Sequence, residues 1–368
     1  MKSRFRNTCN TIRFRLDKPI SMERDETPVV ADFVARVSST ALRVHERSAP
    51  QIHNAINRVT RRLGILTTPE VFIKNEQSTN AYAVNPGNSE RLVIVLNSGI
   101  VHLLSPLELE FVIAHELGHF GMRHAGTMSD TNTFPNELAF LQEQSQQRCQ
   151  EISADRIGLI GSQSIDIAAK VIIKLASGLT DEQLHIDVGS FIDQLDKETA
   201  EMSREWELAM SHPSLPLRLW ALIQFSHTSL YNSLTDRGAY GNSFDTIEER
   251  VVEHFNSLGD GRLSEMEDNF CSDAILWCAM AMIMHDNRID RDEQHALREL
   301  VGESLANKAL NFVKIHGMQE VQKKHMEAIA SLFHTSPATR KKFVGTVITF
   351  AEIVDVDLCE IIDLGPFK

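Results

Sequence analysis

Long apolar runs are missing from this sequence. No stretch reaches the ~18 residues that a membrane-spanning helix needs. The nearest approach, LVIVLNSGIVHLL (92–104), is interrupted by Asn97, Ser98, Gly99 and His102. No transmembrane segment is expected, and no secretory leader, because the basic start has no apolar core behind it. Cysteine is scarce: five residues, at 9, 149, 271, 278 and 359, odd in number and without a CxxC pair. That pattern excludes a disulfide framework and a zinc knuckle, and it fits reduced thiols in a cytoplasmic compartment. Positive charge is also short. With 37 Lys and Arg against 50 Asp and Glu, the net charge is −13, so nucleic acid is not expected as a partner. Low-complexity tracts are absent, and 349–364 only faintly echoes 281–297.

What is present reads as a chain of two domains, since 368 residues exceed what one core usually needs. The charge is uneven. Lys2, Arg4, Arg6, Arg13, Arg15 and Lys18 against Asp17 give residues 1–20 a net of +5, leaving the remainder near −18. Residues 1–28 are therefore expected to form a basic tail. Such runs are usually solvated, with an anionic partner or a membrane surface as the alternative. The spacing of Val30, Phe33, Val34, Val37 and Leu42 predicts helix over 29–62. EVFIK (70–74), AYAVN (81–85) and RLVIVL (91–96), with the turn NPGNSE (85–90) between the last two, predict a small antiparallel sheet.

Ser105-Pro106-Leu107-Glu108 opens a helix with a capping box, and that helix runs through Leu109, Val112, Ile113, Leu117 and Phe120. After a polar stretch (125–136), a second helix is expected from about Asn136 to Gly161, with helical sequence continuing to about 232. DRGAYGNSFD (236–245) separates a first domain, 29–238, from a helical second one, 239–368. The fold class expected is α+β, mainly α, followed by an all-α domain.

The first helix carries IAHELGHF (113–120) in its middle. His115 and His119, four apart, point both imidazoles from one helix face at one spot. Two histidines so placed suit a zinc ion, which lowers the pKa of water it binds to ~7. Glu116 puts a carboxylate beside that water as a general base. A catalytic zinc needs a third protein ligand, and three residues compete. His124 lies five residues on, but Met122 and Ala125 stand where a metzincin pattern needs Gly and His. Glu143 has no supporting pattern. Glu151 opens EISAD, 32 residues after His119 on the second helix, with Ala154 and Asp155 on its face. Ala154 would admit a close helix approach, and Asp155 could fix the tautomer of a ligating histidine. Spacing and local chemistry favour Glu151.

HELGH followed by ExxAD resembles the zinc metallopeptidases of the CAAX-prenyl-protease and HtpX type, in the gluzincin class. Asn80, Ala81 and Tyr82 in STNAYAV (78–84) match that family's Asn-Ala-aromatic segment. His212, Pro213 and Arg218 in SHPSLPLR (211–218) match its His-Pro-…-Arg segment. The resemblance covers about 55–230 and implies a thermolysin-like minimal core: small antiparallel sheet, HExxH helix and ExxxD helix. It implies a Zn2+ cofactor, substrate binding along Asn80, Ala81 and Tyr82, and oxyanion stabilisation by His212 or Arg218. Well-known relatives carry spanning helices on both sides of the core and this sequence has none. The expected substrates are therefore soluble or peripheral proteins or peptides.

In the second domain MIMHDNRIDRDE (282–293) resembles TerB-like helical domains, with Asp286-Asn287 where that family has Asp-Gly. Asp286, Asp290, Asp292 and Glu293 form an acidic cluster. An EF-hand is excluded, because the twelve-residue loop and its central Gly are missing. Helix capping accounts for these residues, and the domain is expected to dock a partner protein. Two functions are thus in view: a zinc endopeptidase, or a latent or inactive protease-like scaffold that binds a partner through the helical domain. A zymogen covered by 125–136 or by the basic tail is a third.

Overall fold

Capping and small-residue contacts fix the elements that matter here. The computed structural model describes residues 28–65, 68–84, 92–122, 137–195, 210–255, 261–286, 288–333 and 335–364. Most of the basic tail, the turn at 85–90, the polar stretch 125–136, His124 and Asn287 lie outside the described residues. Contacts divide the chain into two units, one of residues 1–133 with 143–258 and one of 134–142 with 259–368.

The first unit begins with α1 (Pro28–Thr40), β1 (Leu42–Arg43) and α2 (Pro50–Arg62). The helix expected over 29–62 is thus broken. Leu42 and Arg43 extend instead to pair antiparallel with Ile73 and Phe72. The strands β2 (Glu70–Lys74), β3 (Ala81–Val84) and β4 (Val93–Asn97) complete a sheet of order β1-β2-β4-β3. The expectation of an antiparallel sheet needs correction. β3 and β4 are antiparallel, but β2 and β4 are parallel, with Glu70 opposite Val93 and Lys74 opposite Asn97. The reason is strand order. β4 inserts between β2 and β3, so reversing against β3 leaves it running alongside β2. β4 is buried throughout, as a central strand covered on both faces must be. Ile94 and Leu96 join the main core, while Val93 and Val95 pack with Val34 and Val37 of α1. β3 is left at the sheet edge, among the described residues.

Helix α3 (Ser98–Leu103) leads into α4 (Pro106–Gly121). Ser105 accepts from the Glu108 amide and Glu108 accepts from the Ser105 amide, the capping box expected from the sequence. α4 is apolar around most of its circumference, with Leu109, Phe111, Val112, Ile113, Ala114 and Leu117 buried. It packs on α5 (Glu137–Ser162) through small residues. A methyl group added to Gly161 would sit 2.3 Å from the Ala114 Cβ, and one on Gly118 would sit 3.1 Å from the Ala154 Cα. Glu110 of α4, 1% exposed, receives Arg58 and Arg62 of α2, and Arg62 also donates to the Gly161 carbonyl. These bonds fix the axial position of α4 against both neighbours. α6 (Ile165–Ser177), α7 (Val188–Ile192), α8 (Leu215–Ser226), α9 (Ser229–Leu234) and α10 (Phe244–Phe255) close the unit.

The second unit contains α11 (Gly261–Ile283), α12 (Arg291–Val301), α13 (Glu303–Leu332) and α14 (Pro337–Ile353) around a core of Trp277, Cys278, Met280, Leu297, Phe343 and Phe350. Asp290 and Glu293 form the expected capping box at the start of α12. α13 is two helices joined at Gly317, whose φ of 76° is open to glycine at no steric cost. The described residues are mostly helical with one small mixed sheet, an α+β arrangement dominated by α.

Candidate metal centre

The α4–α5 contact places the two sequence motifs against each other. Gly118 and Ala154 keep the backbones close, so side chains one turn away meet. His115, His119 and Glu151 each offer a donor atom, and these atoms lie within 4.8 Å of one another. The two Nε2 atoms are 3.0 Å apart. His119 Nε2 is 3.2 Å from Glu151 Oε1, and His115 Nε2 is 3.7 Å from Glu151 Oε2. Among the described residues this is the one cluster of three such groups. The donor chemistry fits a metal ion. Two ring nitrogens and a carboxylate oxygen converge, and the opposite face of one ring is already engaged: His115 Nδ1 lies 2.9 Å from Asp155 Oδ1. That bond commits Nδ1 as the donor, leaving the Nε2 lone pair turned into the cluster.

Asp155 is fully buried and also receives a bidentate bond from Arg218 of α8. Arg218 further pairs with Glu151, Nη1 to Oε2 at 3.0 Å. The electrostatics follow from this packing. Burial alone would push both carboxylates up, but the Arg218 guanidinium and the histidines hold Glu151 and Asp155 below the ordinary carboxylate range. Burial lowers the His115 imidazole, and the bond to Asp155 with the charge of Glu151 outweighs it, for a net rise. Arg218 loses hydration by burial and gains more from Asp155 and Glu151, so its pKa rises.

The other sequence candidates line the same cleft, of about 380 Å³. Glu116, 8% exposed, lies on its wall with Phe111 and Val112. Asn80, Ala81 and Tyr82 form another wall on the edge strand β3. Asn80 Oδ1 accepts from the Ala81 amide and its carbonyl accepts from the Asn97 amide, so the oxygen of its side chain shapes the strand entry. His212 is exposed, with Nδ1 2.7 Å from the Ser211 hydroxyl and Nε2 3.6 Å from Glu151 Oε1. Glu143 does not line the cleft; its carboxylate accepts from Gln147 on the same helix. Sequence reasoning missed Ser211, Gln147 and Gln150, which also line the cleft. Helical spacing could have flagged Gln147, four residues before Glu151, but neither Gln150 nor Ser211 carries such a signal.

Comparisons with known proteins match part of this unit. Residues 46–143 match the family model of Peptidase family M48. A plastoglobule-localized metallopeptidase 48 of the chloroplast, from Arabidopsis thaliana, is 25% identical over 219 residues, covering 54% of this chain and 63% of that protein. A Protease HtpX homolog from Methanocaldococcus jannaschii is 37% identical over 94 residues, covering 26% of this chain and 32% of the relative. A second such homolog, from Methanosarcina mazei, is 36% identical over 97 residues, with the same shares. The chain thus spans less than two thirds of the length of these relatives. No solved structure matches. Among the described residues no helix is long and apolar enough to cross a membrane. Through residues 46–143, which carry His115, Glu116 and His119, this chain is similar to the M48 metallopeptidases.

Proposed function

We propose that the first unit is a zinc-dependent endopeptidase acting on soluble or peripheral protein or peptide substrates. The observation that carries this reading is the convergence of His115, His119 and Glu151 in a cleft that Glu116 also lines. The relatives' names, a metallopeptidase and HtpX proteases, support it. His115, His119 and Glu151 would hold the ion, with Asp155 orienting His115. Zinc bound there supplies Lewis acidity toward water and toward a peptide carbonyl.

The remaining chemistry belongs to the chain's own residues. Glu116 takes a proton from the attacking water on its carboxylate oxygen and returns it to the leaving amide nitrogen. His212, with Nδ1 tied to Ser211, presents Nε2 toward the cleft and donates to the oxyanion of the tetrahedral intermediate. β3 at the sheet edge offers backbone groups to an extended substrate, which adds as a further strand beside Ala81 and Tyr82. Phe111, Val112 and Ile100 supply the apolar part of the wall and limit water access. Cys149, Cys271 and Cys278 are buried and outside any disulfide, which suits a reducing cytoplasmic setting.

The test pairs metal content with hydrolysis of casein for wild type and Glu116→Gln. The expected result is one zinc per chain in both and a fall in turnover of at least about 100-fold in the variant. Undiminished cleavage by the variant would remove Glu116 from the mechanism. Zinc in both without any cleavage would favour the latent scaffold.

A further inference from the structure

Arg218 was matched to the centre by its place after His212-Pro213, as a donor to substrate. Its contacts point elsewhere. Nε and Nη2 donate to Oδ2 and Oδ1 of Asp155, both at 2.7 Å, and Nη1 lies 3.0 Å from Oε2 of Glu151. Glu151 and Asp155 stand one turn apart on α5, so a single planar group bridges two acids of one helix. The remaining Glu151 oxygen, Oε1, faces His119 Nε2 at 3.2 Å and His212 Nε2 at 3.6 Å. The two oxygens of Glu151 thus differ in their nearest partners: Oε2 meets the guanidinium at 3.0 Å, with His115 Nε2 farther off at 3.7 Å, while Oε1 has, among the described residues, only imidazoles, His119 and His212, beside it. Asp155 Oδ1 is shared between Arg218 Nη2 and His115 Nδ1. One side chain therefore acts directly on one member of the donor set and, through Asp155, on another.

We propose that Arg218 is a positioning residue of the metal centre, clamping Glu151 so that Oε1 is the oxygen offered to the cation and Asp155 so that the His115 ring keeps Nε2 turned inward. The inference rests on the metal-centre reading given above. A carboxylate on a flexible stem can rotate and offer either oxygen or both, and each rotation enlarges the ensemble that a metal must order. A guanidinium removes that freedom, because its fork is rigid and makes parallel bonds that an ammonium cannot. Arg218 is itself held. α8 starts with Pro216 in its first turn, and Leu217 and Leu219 on either side of Arg218 are buried at 2% and 0% exposure. The three nitrogens are already committed to carboxylates. A substrate oxygen would have to compete with two anions for the same charge, so the donor role falls to His212.

The experiment measures the zinc dissociation constant by competition with a chromogenic chelator, and the visible absorption of the cobalt-loaded protein. It compares wild type, Arg218→Met and Arg218→Lys. Arg218→Met is expected to weaken zinc binding by about 10- to 100-fold, the range such supporting partners command, and to alter the cobalt bands. Arg218→Lys is expected to recover part of the affinity but not the wild-type bands. Asp155→Asn combined with Arg218→Met should weaken zinc by less than the product of the two single effects, because they act through shared contacts. Wild-type affinity and bands in Arg218→Met, with kcat alone reduced, would overturn the proposal and return Arg218 to the substrate. Failure of the wild type to bind zinc would instead sink the metal-centre reading and this proposal with it. Thermal melting of the metal-free proteins tells a folding defect from a loss of ligand positioning. If Arg218→Met does not fold, Arg218→Lys, which keeps the charge and loses the fork, decides the matter alone.

Discussion

Two pairs of acids on helices have opposite fates in this molecule. Glu151 and Asp155 lie one turn apart on α5, are 8% and 0% exposed, and aim their oxygens across to other elements. Asp290 and Glu293 lie at the start of α12, are not buried, and aim their oxygens at their own backbone amides. Asp286 does the same, accepting from the Arg288 amide. The residue types are the same. What differs is the partner set: imidazoles and a guanidinium in the first case, unpaired helix-end amides in the second. An acidic cluster becomes a centre only when its oxygens converge with other donors, and at a helix start they are usually occupied by the helix itself. A third pattern lies between these. Glu108 is as buried as Glu151, but it is bound by the Ser105 amide and by Lys174, both structural partners.

The sharpest break of this comparison is Glu151→Ala. Zinc affinity should fall by more than about 100-fold, beyond what supporting partners command, while Asp290→Ala and Glu293→Ala leave it unchanged. Equilibrium dialysis of the three variants would show this, and equal losses in all three would erase the distinction. Next comes Lys174→Met. Lys174 and Glu108 are 2% and 4% exposed, and removing the cation strands a buried carboxylate, at a cost of about 3–5 kcal/mol read from urea unfolding. Burial lowers the Lys174 pKa, but its bonds to Glu108 and Asp181 raise it further, for a net rise. A raised folded-state value means the contribution is complete below the ordinary 10.5. It is lost as pH climbs through the folded value. The gap between wild type and Lys174→Met should therefore stay constant from neutral pH to about pH 10 and narrow only above it. A gap that already narrows between pH 7 and pH 9 would contradict the assignment. The smallest effect is expected for Asp290→Ala, about 1 kcal/mol for one lost cap, confined to the second unit and measured by hydrogen exchange along α12.

The same contrast explains what could be read from the sequence. The capping boxes at Ser105 and Asp290 and the facing of His115 with His119 are local, decided within four residues, and they stand as expected. The proximity of Glu151 was legible because Ala154 and Asp155 share its face, a pattern that only makes sense against another helix. Strand pairing was not legible. Whether β4 lies beside β2 or beyond β3 depends on contacts between distant segments, and the alternation of apolar residues is the same either way. The break after Thr40 was hidden for a similar reason: Leu42 continues the helical spacing of Val34 and Val37, and only its pairing with Ile73 pulls it into a strand. The contacts of Arg218 were the least visible. A motif match placed it near the centre, but the direction of its fork is set by α8 packing on the rest of the unit.

The α4–α5 contact has a consequence in time as well as in space. His115 and His119 are made together, but Glu151 follows 32 residues later and Arg218 a further 67. Until Glu151 has been synthesised and the small faces of the two helices have met, no set of three donors exists, and until Arg218 follows, Glu151 and Asp155 lack their guanidinium. The chain therefore has no competent centre during the first part of its synthesis. A chelator added during refolding should slow the final step of assembly without touching the early helices.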